Sequence, residues 1–197
     1  MAALILASQS PRRQELLHLA GVKSFRTLIP NVVEQMDTSL PYPQLVQNLA
    51  KQKALAVAPE AQKNDIIIAA DTIVVADNTI FGKPKDPDDA RQMLSRLSAN
   101  THRVYTGLAL LQNGTLLTDA EQADVFFRQL SSEEIDAYIS TGEPMDKAGA
   151  YGIQGKGALF VTRIEGDYYT VMGLPLCTLS RHLMQFHVNL MTGEGLA

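Results

Sequence analysis

One acid inside an apolar run limits this chain more than any other feature. From Asp65 to Ala76 the sequence reads Asp-Ile-Ile-Ile-Ala-Ala-Asp-Thr-Ile-Val-Val-Ala, rich in β-branched residues and bounded by polar turn residues, with Asp71 at its middle. Such a run predicts a central strand. A carboxylate buried there without a partner is too costly to keep, so Asp71 demands a metal, a cation or hydrogen-bond donors. Lys53, Lys83 and Lys85 are the candidate cations. The plainer alternative is a strand-end residue that caps a turn or bridges to a structural lysine.

The elements around this strand follow from pattern and punctuation. Ala3 to Ala7 is a short apolar run ending at Ser8-Gln9-Ser10-Pro11, which predicts a buried strand, a tight loop and a helix. Ser10 is the expected N-cap, Pro11 the first helical residue and Gly21 the terminator. A second helix is predicted from Tyr42 to about Ala58, where Leu45, Leu49, Lys53 and Ala56 keep helical spacing and Lys53 is the odd member. Asp77-Asn78 turns the chain, and Asp86 caps a helix opened by Pro87 with Ala90, Met93, Leu94 and Leu97 on one face. Between Thr101 and Arg128, Asn113-Gly114 marks a hairpin; Ser131 with Glu134 forms a capping box. A strand near Ala158 to Ile164 and a helix from about Pro175 to Phe186 follow. Strands alternating with helices, plus one hairpin, predict an α/β fold: a mixed, twisted central sheet flanked by helices.

At 197 residues with 46% hydrophobic side chains, the chain can fill one core-forming domain, expected over residues 1–187 with a loosely held tail at 188–197. Its net charge is −4, from 17 basic and 21 acidic residues, so no global positive field exists for a nucleic acid backbone. No run approaches the roughly 18 apolar residues of a membrane span, and no basic residue precedes the short apolar run at the start. The single cysteine, Cys177, lies in an apolar stretch and is expected to be a buried thiol in a reducing, cytoplasmic setting. His18, His102, His182 and His187 are scattered without metal-ligand spacing, which disfavours zinc; His102 is retained as a residue that can line a site.

Three further features carry chemistry. Ser8 to Arg13 places Arg12 and Arg13 in a first helical turn, at the positive end of the helix dipole, where each costs up to about 1 kcal/mol unless an anion compensates it. The arginines either grip phosphate, or point into solvent or pair with Glu15 or Glu34. Lys53 either snorkels from its apolar stripe or serves a site, and Lys83 precedes Pro84 in a constrained loop. Gly142 to Gly157 is too rich in glycine for a regular helix and suits a closely approaching loop whose useful polar groups are Lys147 and Gln154. It lacks the spacing of a Walker A or dinucleotide-binding loop.

Taken in order, Ala7-Ser-Gln-Ser-Pro-Arg-Arg13, Ala70-Asp-Thr-Ile-Val74, Gly82-Lys-Pro84, Thr101-His102 with Thr106-Gly107, the Gly142 to Gly155 segment and Val171-Met-Gly-Leu-Pro175 resemble the Maf family of nucleoside triphosphate pyrophosphatases. The resemblance implies a Maf or ITPase-like fold with a nucleotide cleft between two lobes. It implies hydrolysis of a nucleoside triphosphate to the monophosphate and pyrophosphate with Mg²⁺ or Mn²⁺, removing non-standard nucleotides. On the family pattern Asp71 is the proton acceptor, or else a metal ligand together with Glu34. Ser8, Arg12, Arg13, Lys53 and Lys83 bind substrate phosphates. A subgroup similar to this chain in Arg12, Thr72 and Gln154 prefers dTTP and UTP, which extends to modified pyrimidine nucleotides. A carboxamide suits that preference, since it can both accept from the N3–H of a pyrimidine and donate to its carbonyl. Homodimers are common among proteins that resemble this one, although no exposed apolar stripe in the sequence demands one, and two other readings stay open: a nucleotide-binding regulator of cell division with little hydrolysis, and a phosphomonoesterase.

Overall fold

The computed structural model describes residues 3–196. Strand β1 (Leu4–Ala7) leads into helix α1 (Pro11–Leu19), followed by β2 (Arg26–Leu28), α2 (Tyr42–Val57), β3 (Ile66–Ala76), β4 (Thr79–Phe81), α3 (Pro87–Leu97), β5 (Thr101–Gln112), β6 (Thr115–Phe127), α4 (Ser132–Ile139), β7 (Val161–Gly166), α5 (Tyr168–Met172) and α6 (Leu176–Gln185). The strands form one mixed sheet in the order β2-β1-β3-β5-β6-β7, with β4 paired to β3. β1 runs parallel to both β2 and β3, while β3–β4 and β6–β7 are antiparallel. This is the mixed α/β arrangement predicted, a central sheet flanked by helices. Among the described residues no helix is long and apolar enough to cross a membrane.

The local signals act as expected at most helix starts. The Asp86 carboxylate accepts from the Asp89 N–H at 2.8 Å, and Ser131 with Glu134 closes a reciprocal capping box. Ser10 occupies the N-cap position of α1, but its side chain makes no cap bond. Instead the Ser10 N–H donates to Ser8 Oγ at 3.1 Å. The strand expected from Ala158 begins only at Val161, because Lys156–Phe160 winds into a 3₁₀ turn. Cys177 is exposed, contrary to expectation, since α6 turns Thr178, Leu179 and Leu183 inward instead. Within the tail, Val188 is buried and Asn189 pairs with Glu194 in an isolated bridge.

The chain divides into two compact units, one comprising residues up to Asp71, Thr106–Glu121 and those from Gly173, the other Thr72–Tyr105 and Gln122–Met172. The first has a core of Ile5, Ala7, Ala50, Ala54, Val57, Ile67, Ala69, Ala109 and Leu111. Helix and strand come close at Gly107 on β5: a β-carbon built there would lie 2.1 Å from the Val46 carbonyl oxygen of α2. Only glycine lets helix and strand backbones approach so closely.

The second unit packs Leu94, Leu97, Val104, Val125, Phe127, Tyr138, Tyr151 and Phe160. His102 belongs to this packing: it is 2% exposed, edge-on to Phe127 and Tyr151, with Nε2 hydrogen-bonded to the Tyr151 hydroxyl at 2.8 Å. Burial pushes its imidazole down to about 4 from 6.5. Between those two values the unfolded chain binds more protons than the native one, so stability is complete above pH 6.5 and falls as the pH drops toward 4. Urea unfolding is expected to lose about 3 kcal/mol across that window. A His102→Phe variant is expected to show a flatter profile; an equal slope in both proteins would assign the loss to other groups.

Candidate active site

Strand periodicity places Asp71. Ile67 and Ala69 of β3 belong to the core that includes Ala50, Ala54 and Val57 of α2, so Asp71, two residues on, lies on the same strand face. On α2, Lys53 follows Ala50 by three residues and precedes Val57 by four, which puts it on the stripe that faces the sheet. The two side chains meet: Lys53 Nζ donates to Asp71 Oδ1 and lies 3.3 Å from Glu34 Oε1. Asp71 is 9% exposed, so the partner that its burial required is Lys53.

Glu34 comes from the segment after β2, which has no regular structure around it. Its neighbour is tied down by a side chain that mimics a strand. The Gln35 N–H donates to Gln52 Oε1 at 2.8 Å, and Gln52 Nε2 donates back to the Gln35 carbonyl at 3.0 Å. Because Gln52 and Gln35 precede and follow Lys53 and Glu34 by one residue, this bridge brings the ion pair into register. Sequence reasoning missed Gln52; a polar residue on a half-exposed helix face carries no periodic signal.

The arginines divide in their behaviour. Arg13 is stitched into the structure, donating from Nε to the Gly173 carbonyl at 2.8 Å and from Nη1 to Ser8 Oγ at 3.3 Å. Burial lowers its pKa; the charges of Asp71 and Glu34 oppose that shift, and the charge of Arg12 adds to it. Arg12 is half-buried beside it, and the first turn of α1 contains no acid to compensate the positive helix end. Ser8, at the end of β1, is buried. Thus Ser8, Arg12, Arg13, Glu34, Lys53 and Asp71 all belong to the first unit, and electrostatic or hydrogen-bond contacts link them.

Thr72, Lys83 and Gln154 belong to the second unit. Thr72 follows Asp71 on β3 and points to the opposite strand face. Lys83 and Gln154 are exposed, and Lys83 is tied to the glycine-rich loop through its neighbour, because the Gly149 N–H donates to the Gly82 carbonyl at 3.1 Å. Lys147, one of the loop's two useful polar groups in the sequence, spends its ammonium within the loop on the Glu143 carbonyl at 2.7 Å and on Asp146 Oδ1 at 2.6 Å.

The site can therefore hold an anion against Arg13 and Lys53 while presenting two carboxylates that converge on one cation. No group of three histidine, cysteine, aspartate or glutamate side chains suited to a metal gathers among the described residues. Two carboxylates fit Mg²⁺ or Mn²⁺ in its usual mode with nucleotides, where water and substrate phosphates complete the shell.

Known proteins resemble this chain in both sequence and fold. The dTTP/UTP pyrophosphatase of Bacillus cytotoxicus is 52% identical over 186 residues, covering 94% of this chain and 96% of that protein. The protein of the same name from a strain of Bacillus cereus is 49% identical over 189 residues, covering 96% and 98%. In fold, the chain is similar to the Ham1 protein of Staphylococcus aureus, with a TM-score of 0.51 at 10% identity over 94% of this chain and 99% of that one. A HAM1 protein from Coxiella burnetii gives 0.52 at 16% identity over 94% and 100%. The pattern of the family described as Maf-like protein matches residues 3–186, and the chain belongs to that family.

Proposed function

We propose that this protein hydrolyses dTTP and UTP, and modified pyrimidine nucleotides of the same shape, to the nucleoside monophosphate and pyrophosphate. The observation that carries the reading is the ion cluster in which Lys53 bridges Asp71 and Glu34 beside the half-buried Arg13. The names of relatives at about half identity support the choice of substrate. In-line attack of water at the α-phosphorus needs a group that takes up the proton of the nucleophile, and cations that neutralise the departing pyrophosphate. Asp71 meets the first need. Ser8, Arg12, Arg13, Lys53 and Lys83 meet the second. Glu34 and Asp71 would hold Mg²⁺ or Mn²⁺, which supplies charge neutralisation at the phosphate oxygens. Arg12, Thr72 and Gln154 set the choice of base.

The test is a screen of nucleoside triphosphates with and without Mg²⁺ or Mn²⁺, scoring pyrophosphate against orthophosphate. Pyrophosphate released fastest from dTTP and UTP is the expected result. Orthophosphate as the product would overturn the reading in favour of a phosphomonoesterase. Tight triphosphate binding without any turnover would point to a nucleotide-binding regulator. Gln154→Glu is expected to shift preference from dTTP toward 7-methyl-GTP by about tenfold, because a carboxylate cannot donate to a pyrimidine carbonyl. A substrate ranking left unchanged would remove Gln154 from base reading.

A further inference from the structure

Gln154 is exposed at the third position of a turn closed by the Gly155 N–H donating to the Gly152 carbonyl at 3.2 Å. A turn of this kind fixes a side chain only if its two ends are held. Both ends are held from one place. The Gly152 N–H donates to the Tyr138 hydroxyl at 3.0 Å, and that hydroxyl donates to Glu143 Oε1 at 2.8 Å. On the far side, the Lys156 N–H donates to Glu143 Oε2 at 3.1 Å, and the Gly157 N–H reaches Oε1 at 3.4 Å. The geometry points to Glu143 as a specificity-positioning residue: with Tyr138 it clamps both ends of the Gly152–Gly157 turn and so sets where Gln154 meets the base.

This inference rests on the reading of Gln154 as the base-contacting residue. The composition of the turn argues for it independently. Gly155 has φ −103° and ψ −150°, a backbone conformation open to any residue. A β-carbon there, however, would fall 2.2 Å from Glu143 Oε1 and 2.5 Å from Oε2. A side chain at 155 would therefore displace the carboxylate from the place where it holds the turn. Glu143 keeps its charge in this setting: burial raises its pKa, but the bonds from Tyr138, Lys156 and Gly157 and the charge of Lys147 outweigh it and lower the value. A charged acceptor makes stronger bonds to backbone N–H groups than a neutral one. Glutamine cannot replace it, since its NH₂ group would face the Lys156 N–H or the other donors.

The experiment uses the full-length enzyme with Mg²⁺ and measures kcat/KM for dTTP and for GTP as a purine probe. Glu143→Gln, Gly155→Ala and Tyr138→Phe are each expected to lower the dTTP-to-GTP ratio about fivefold, mainly through the KM for dTTP. Tyr138→Phe keeps the packed ring, so at least one variant tests the clamp in an intact core. Amide hydrogen exchange at Gly152, Lys156 and Gly157 is expected to quicken in all three. In a Gln154→Ala background, Glu143→Gln is expected to change the ratio no further, because the two act as one unit. A ratio unmoved by Glu143→Gln while Gln154→Ala lowers it would overturn the positioning role alone. A ratio unmoved by Gln154→Ala would overturn the base-reading assignment, and the positioning role with it.

Discussion

Asp71→Asn is expected to lower kcat for dTTP by at least about 100-fold while leaving the fold intact. The amide is isosteric and can still accept the hydrogen bond that Lys53 Nζ gives to Asp71 Oδ1, so packing between α2 and β3 survives. What is lost is the negative charge, and with it both the capacity to take a proton and the attraction that opposes the desolvation of Arg13. Steady-state release of pyrophosphate measures the loss, and thermal unfolding checks the fold. Titration with Mn²⁺ separates the two roles open to Asp71. A defect that excess metal partly restores assigns it as a ligand beside Glu34, and a defect indifferent to metal assigns it as the base. Unchanged turnover in Asp71→Asn would remove the residue from the chemistry.

Lys53→Met is expected to have the other large effect, in both rate and stability. Lys53 pairs with both Asp71 and Glu34, and its side chain is 15% exposed. Without it two carboxylates face each other across the position of a lost ammonium, and the leaving pyrophosphate loses a counter-charge. A drop of about 100-fold in kcat/KM for dTTP is expected, the size seen when one donor to a developing oxyanion is removed. Breaking a buried pair by deleting one partner costs about 3–5 kcal/mol; partial exposure of Glu34 brings the expected loss nearer 2 kcal/mol, or about 4–8 °C in Tm. Lys53→Arg should not restore the rate, because a planar guanidinium cannot take the place of a compact ammonium between two carboxylates. Wild-type kcat/KM in Lys53→Met would reduce the lysine to a structural counter-ion.

How far the sequence reached can be judged from these same residues. An acid in a β-branched run announced that Asp71 needed a partner, and Lys53 stood out on an apolar helical stripe. The choice of Lys53 over Lys83 and Lys85 depended on which face of β3 carries Asp71, and α2 is packed on that face. Helix starts were legible because Asp86 and Ser131 act through bonds three residues long. Ser10 carries the same local signature, yet the hydroxyl that organises that corner is Ser8, which serves Arg13 and the Ser10 N–H together. β2 and α5 are too short for a period to register. Gln52 and Glu143 act through backbone groups distant in sequence or hidden in a loop, so nothing in composition or spacing marks them.

The contact between Gly107 and Val46 bears on how the enzyme can be altered. A laboratory selecting for new substrate preferences would see position 107 as chemically silent, since it has no functional group. Every replacement there would nevertheless push α2 from the sheet, and with it Lys53, so library members altered at 107 should vanish from any screen for activity. The codon for Gly107 is best left unrandomised, and diversity spent instead on the exposed Gln154.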